Sequence, residues 1–161
     1  MKKFTLLFIS LNFFFGCASD QVSQQGSKGE YGYSLDSDVM VPMRDGINLA
    51  TDIYFPTKNN QRLSGKLPAI LVRTPYNKQR GNLVSNAAVY FTSHGYVTVY
   101  QDTRGRYNSE GIWHMLDDDG KDGYDTGEWL INQPWSNGKY GMYGTSYVGG
   151  TQHAMALEND P

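Results

Sequence analysis

From residue 39 onward the apolar positions change period several times, and each change marks an element. Leu49, Thr51, Ile53 and Phe55 alternate with their neighbours, the period-2 pattern of a half-buried strand. Arg44-Asp45-Gly46 separates that strand from Val39-Met40-Val41-Pro42-Met43. Asp-Gly favours a tight hairpin turn because its central residues reach positive φ, so a β-hairpin is predicted up to Phe55. Thr57 to Lys66 is polar and reads as a loop. Pro68 to Arg73 is a short, nearly continuous apolar run, the signature of a buried strand, and Pro75 stops it. The period then lengthens: Asn82 to Ser93 has helical spacing, with Leu83, Ala87, Val89, Tyr90 and Phe91 partly inward, and Gly95 ends it. Tyr96 to Tyr100 is the next strand, and Asp102 to Gly111 is a turn-rich loop. Asp118 to Ile131 reads as a helix and Pro134 to Lys139 as a loop. The short run Gly141-Met142-Tyr143 follows, and Thr151 to Glu158 is helix-compatible. Strands alternating with helices predict an α/β fold: a mostly parallel sheet covered on both faces, with the leading hairpin as an antiparallel edge.

The first 35 residues follow other rules. Lys2 and Lys3 precede an apolar run from Phe4 to Phe15, broken only by Thr5, Ser10 and Asn12. A membrane-spanning helix needs about 20 residues, whereas a run of this length suits a secretory signal. Phe14-Phe15-Gly16-Cys17 is similar to a bacterial lipoprotein box, which predicts a signal peptide over 1–17 and lipidation of Cys17. A second reading is plain export with cleavage after Ala18. Residues 18–35 are polar and read as a flexible tether, leaving 36–161 as the globular part. The expected location is outside the cytoplasm, on a membrane through the lipid where Cys17 is modified.

Composition narrows the chemistry. The 161 residues suffice for one modest domain, 39% of them hydrophobic. A formal charge of −2 argues against nucleic acid as a partner. The single cysteine leaves no disulfide framework and no cysteine-based metal site. Asp117, Asp118, Asp119 and Asp122 stand at a predicted helix start, where acids read as a solvated, dipole-favoured N-terminus rather than a calcium site. No cofactor is implied, and oligomeric state is unreadable. Trp129 and Trp135 read as packing anchors, and Asp102, Arg104 and Arg106 as residues that hold their own loop.

The stretch Gly144-Thr145-Ser146-Tyr147-Val148-Gly149 carries the most information. Strand, tight turn bearing serine, then helix is the layout of a nucleophile elbow in an α/β-hydrolase. Such a turn strains the serine backbone and needs glycine where strand and helix approach. The hydroxyl then stands above the sheet, beside N–H groups that can face a developing oxyanion. The general pattern Gly-x-Ser-x-Gly is not met, because Val148 occupies its last position.

Several segments together resemble one family. Val72-Arg73-Thr74-Pro75-Tyr76-Asn77-Lys78 is similar to its Arg-x-Pro-Tyr-x-Lys segment, and Gln101-Asp102-Thr103-Arg104-Gly105-Arg106 to its Gln-Asp-x-Arg-Gly-Arg loop. Asp125 to Trp129 and Gln133 to Lys139 resemble the helix and loop that enter the elbow. Gly144 to Gly149 matches the family's own elbow, Gly-x-Ser-Tyr-x-Gly. The family is that of cocaine esterase, α-amino acid ester hydrolases and X-prolyl dipeptidyl aminopeptidases. The resemblance implies acyl transfer to a serine from a small ester, amide or peptide substrate. Ser146 would be the nucleophile, the Tyr147 backbone N–H one oxyanion donor and the Tyr76 hydroxyl the other.

A serine nucleophile needs a base. The chain has three histidines, His94, His114 and His153, and only His153 follows the serine, as the usual Ser, Asp/Glu, His order requires. It lies seven residues on, in the elbow helix, where it points away from the hydroxyl. Glu158 and Asp160 are too near the serine to serve as triad acid. The expectation is an α/β-hydrolase fold cut after the elbow helix, lacking the triad Asp and His and inactive by itself. The alternative is a non-catalytic exported lipoprotein that uses the fold for binding.

Overall fold

The structure, a computed structural model, describes residues 29–158. The apolar leader, Cys17 and the tether up to residue 28 lie outside the described residues. Among the described residues six strands and three helices run in the order β1 (Gly32–Pro42), β2 (Asn48–Lys58), β3 (Gln61–Arg62), β4 (Leu67–Thr74), α1 (Gly81–Ser93), β5 (Val97–Asp102), α2 (Asp119–Ile131), β6 (Ser136–Met142) and α3 (Tyr147–Leu157). The sheet order is β1-β2-β5-β4-β6, with β3 paired to β2. β2 pairs antiparallel with both β1 and β5, and β4 pairs parallel with both β5 and β6. The predicted architecture is present, with a parallel side formed by β5-β4-β6 and the leading hairpin as an antiparallel edge on the other.

Alternation along the strands divides the core into two layers. Ile53, Phe55, Leu71, Val97 and Val99 point to one face, where Leu130, Trp129 and Trp135 cover them. Tyr54, Val72 and Tyr100 point to the other, against Ala87 and Ala88 of α1 and Val148 of α3. Each fully buried aliphatic side chain contributes roughly 1.5–3 kcal/mol, so the two faces rather than helix propensity hold the elements in place. The two tryptophans do serve as packing anchors. On the α2 side, Gly127 permits close approach, since a Cβ there would lie 2.3 Å from the Tyr140 hydroxyl and 2.9 Å from Met155 Cε.

Three boundaries differ from the sequence reading. β1 begins at Gly32, inside the expected tether, because Gly32 to Asp36 pair with Ile53 to Thr57. This edge strand is mostly exposed and so lacks clear alternation. β2 continues to Lys58 and turns through Asn59 and Asn60, both at positive φ (52° and 61°), into β3, in what reads as loop. β6 occupies much of the expected loop from Pro134: Ser136 pairs with Leu67, and Tyr140, Gly141 and Met142 with Ala69, Ile70 and Leu71. Its polar sequence gives no strand period, so pairing with β4 rather than local preference makes it a strand.

Candidate active site

β4 and β6 run parallel, so their carboxyl ends meet at one rim of the sheet. Tyr76 follows the first and Ser146 the second. The Tyr143 N–H bonds the Leu71 carbonyl at 3.2 Å, which holds the turn after β6 against β4. Ser146 then caps α3 with φ 56° and ψ −131°, a conformation that side-chain-bearing residues rarely adopt. Gly144, with φ 145°, is required sterically, because a Cβ there would lie 2.1 Å from Val148 Cγ1. The Ser146 carbonyl accepts from Gly150 N–H at 2.9 Å, so helical bonding starts at once and the N–H of Tyr147 lies in the unpaired first turn.

Ser146 and Tyr76 line the same cavity, of about 830 Å³. Val72, Tyr90, Phe91, Tyr100 and Tyr143 give it a largely apolar, aromatic wall, with Arg80 as its charged member. The Tyr76 ring meets the Tyr147 ring edge-on at 6.3 Å between centroids. The structure therefore brings together Ser146, Tyr76 and Tyr147; Cys17 lies outside the described residues. Among the described residues no histidine lines the cavity. His94 caps α1 with its ring bonded to the Tyr90 carbonyl at 2.6 Å, His114 lies beside Arg104 and Trp113, and His153 is exposed on α3.

Two charged clusters stand behind these residues, and neither is evident from composition. In the first, the Tyr147 hydroxyl donates to Asp119 Oδ2 at 2.7 Å and accepts from Leu116 N–H at 3.0 Å and Trp113 Nε1 at 3.2 Å. Burial, then the bond to Asp119, raises the Tyr147 pKa. Arg73, fully buried in β4, reaches Asp119 and Asp122 with Nη2 at 3.5 and 3.7 Å and donates from Nε to Gln101 at 2.9 Å. Arg104 grips Asp122 with two bonds, at 2.6 and 3.1 Å, and Asp45 at 2.7 Å. Asp119 and Asp122 are thus 4% and 1% exposed, not the solvated helix start that their sequence position suggests. Arg73 and Arg104 neutralise them there. Burial still raises the Asp122 pKa, against the pull of Arg104 and Arg73. Arg104 and Arg106 do hold the loop, the latter through Nε to the Pro75 carbonyl at 3.0 Å.

In the second cluster Lys78, 1% exposed, donates to Asp38 Oδ1 at 2.6 Å and lies 3.4 Å from Asp52 and 3.7 Å from Asp102. Burial pulls the ammonium pKa down, but the three carboxylates outweigh it and hold it above the usual lysine value. Burial pushes Asp102 up to about 6, although the Lys78 backbone and ammonium work against it. A lysine two residues after Tyr76 and an arginine inside an apolar strand are sequence signals of these clusters, beside the Gln101–Arg106 loop and the acids at the start of α2.

A mixed sheet whose β5-β4-β6 part is parallel, with helices on both faces and a strained serine between strand and helix, is the α/β-hydrolase fold, and solved structures agree. An α-amino acid ester hydrolase superposes with a TM-score of 0.68 at 30% identity, over 91% of this chain and 27% of that one. A CocE/NonD family hydrolase from Staphylococcus aureus gives 0.67 at 28% identity, over 77% and 25%. The family described as X-Pro dipeptidyl-peptidase (S15 family) matches residues 45–161, and the chain belongs to it. The cocaine esterase of Rhodococcus sp. (strain MB1 Bresler) is 43% identical over 128 residues, 78% of this chain and 21% of that protein. The chain thus spans about a fifth of the length of that relative. The family and these relatives are described as enzymes that hydrolyse ester or peptide bonds.

Proposed function

We propose that this chain carries the nucleophile and the oxyanion donors of a serine hydrolase that cleaves ester or amide bonds through an acyl-enzyme. Ser146 Oγ gives up its proton to a general base and attacks the substrate carbonyl, forming a C–O bond while the carbonyl π electron pair moves onto oxygen. The Tyr147 N–H and the Tyr76 hydroxyl bond that oxyanion more strongly than the neutral carbonyl, which lowers the barrier. Collapse breaks the bond to the leaving group, which takes the proton held by the base and departs as alcohol or amine; water, deprotonated by the same base, then attacks the acyl carbon and the proton returns to Ser146 Oγ as the acid is released. The observation that carries this reading is the strained Ser146 at the start of α3, on one cavity with Tyr76. The 43% identity to an esterase favours esters over amides.

The base and its acid come, in this reading, from outside residues 29–158, since none of the described residues lining the cavity is a histidine. Labelling the full-length protein with a fluorophosphonate and mapping the adduct by mass spectrometry tests the nucleophile. The adduct is expected on Ser146 and absent in Ser146→Ala; an adduct elsewhere, or none, overturns the assignment and favours a binding role. The 161-residue chain alone is expected to hydrolyse p-nitrophenyl acetate at background rate, because losing triad members costs several powers of ten. Turnover by that chain that disappears in Ser146→Ala would refute the placement of the base elsewhere.

A further inference from the structure

Tyr76 is 45% exposed, and among the described residues nothing hydrogen-bonds its hydroxyl. Besides the edge-on contact with the Tyr147 ring, its position is set by the main chain on either side. Upstream, the Pro75 carbonyl accepts from Arg106, and the Tyr76 N–H bonds Thr74 Oγ1 at 3.1 Å. Downstream, Asn77 takes φ 80°, and the chain dives to bury Lys78. The Lys78 N–H bonds Asp102 Oδ1 at 2.7 Å, and its ammonium reaches Asp38 in the β1 bulge, Asp52 in β2 and Asp102 at the end of β5. One side chain thus ties the segment after Tyr76 to three strands.

That arrangement is poor as a source of stability. One cation faces three carboxylates, and Asp52 Oδ2 and Asp102 Oδ2 are buried without a hydrogen bond. Buried charges of this kind usually do no better than apolar residues of the same volume. What they provide is direction: an ammonium hydrogen-bonded to Asp38 and within ion-pair distance of Asp52 and Asp102 fixes where its backbone lies. We infer that Lys78 is a positioning residue, which through its clamp on Asp38, Asp52 and Asp102 sets where the Tyr76 phenol stands relative to Ser146. This rests on the reading of Tyr76 as an oxyanion donor. Displacing a catalytic group by about 1 Å can cost on the order of 100-fold in rate, so a clamp two residues away has leverage.

A double-mutant cycle in the full-length enzyme separates positioning from general support. With p-nitrophenyl acetate, Lys78→Met is expected to lower kcat by about 100-fold with KM changed less than about 3-fold, the signature of a lost transition-state interaction. In a Tyr76→Phe background the same substitution is expected to cost less than about 3-fold, since the hydroxyl it positions is gone. Asp38→Asn, at the exposed rim of the clamp and tolerant of the bulge's positive φ, is expected to show the same pattern at about 5- to 10-fold. Hydrogen exchange read by mass spectrometry is expected to quicken over residues 74–80 in Lys78→Met while β4 and β5 stay protected. Equal losses in both backgrounds, or unchanged kcat and unchanged exchange, overturn the inference. If Lys78→Met does not fold, Asp38→Asn decides by the same criterion. Full activity in Tyr76→Phe overturns the oxyanion reading of that residue, and exchange then decides separately whether Lys78 fixes the segment.

Discussion

Replacing Gly144 by alanine tests the elbow without any need for activity. A Cβ at residue 144 would stand 2.1 Å from Val148 Cγ1 and 2.7 Å from Val148 Cβ, where ordinary contacts begin at 3.4 Å. Val148 cannot swing aside freely: it is β-branched, lies in the first turn of α3 and packs against the α1-side core. The substitution also forces alanine to φ 145°, a region that glycine alone occupies readily. Overpacking costs about 1–3 kcal/mol and the backbone conformation a further ~1–3 kcal/mol, so the loss should fall between about 2 and 6 kcal/mol. Val148→Ala removes the Cγ1 contact but leaves the Cβ contact and the backbone strain. Gly144→Ala should therefore cost about 1 kcal/mol or more less in the Val148→Ala background, a coupling expected only of residues in contact. Urea unfolding followed by tryptophan fluorescence gives each value from the midpoint at constant slope. A loss below about 0.5 kcal/mol for Gly144→Ala, or strict additivity of the two changes, would mean that strand and helix do not meet as described.

Two further outcomes follow from the charged clusters. Asp102 titrates near 6 when folded against 3.8 as a free side chain, so the folded state binds its proton more tightly. Its contribution is therefore favourable at low pH and lost as pH rises from about 4 to 6, by up to about 3 kcal/mol, with the raised Asp122 acting in the same direction. Asp102→Asn keeps an acceptor for the Lys78 N–H, and its urea midpoint should fall less across that window than the wild type's; equal falls would show that Asp102 does not titrate there. Arg73→Met removes the cation between Asp119 and Asp122 and should cost about 3–5 kcal/mol, because the carboxylates stay buried and Arg104 neutralises only Asp122 directly. A urea-measured loss under about 1 kcal/mol would mean that Asp119 needs no buried partner.

What could be read from the chain and what could not divide along a physical line. Alternation in Leu49 to Phe55, the apolar run before Arg73 and the Gly/Ser turn at Ser146 are local signals, written in neighbouring residues, and each of those elements is present. β6 and the first residues of β1 are strands because of what they pair with, so Ser136 to Lys139 and Gly32 to Asp36 carry no period of their own. The clusters are further still from local chemistry. Arg73 meets Gln101 and Asp119 across 28 and 46 positions, and Lys78 meets Asp38 across 40. Read singly, such residues are surface charges, because Lys, Arg and Asp are almost never fully buried unless paired. Only the fold supplies the pairs, and it supplies them beside Tyr76 and Tyr147. An apolar core fixes which faces of the sheet meet the helices but tolerates small slips, whereas an ammonium among three carboxylates does not. The residues hardest to recognise in the sequence are therefore the ones whose placement the proposed chemistry would feel most.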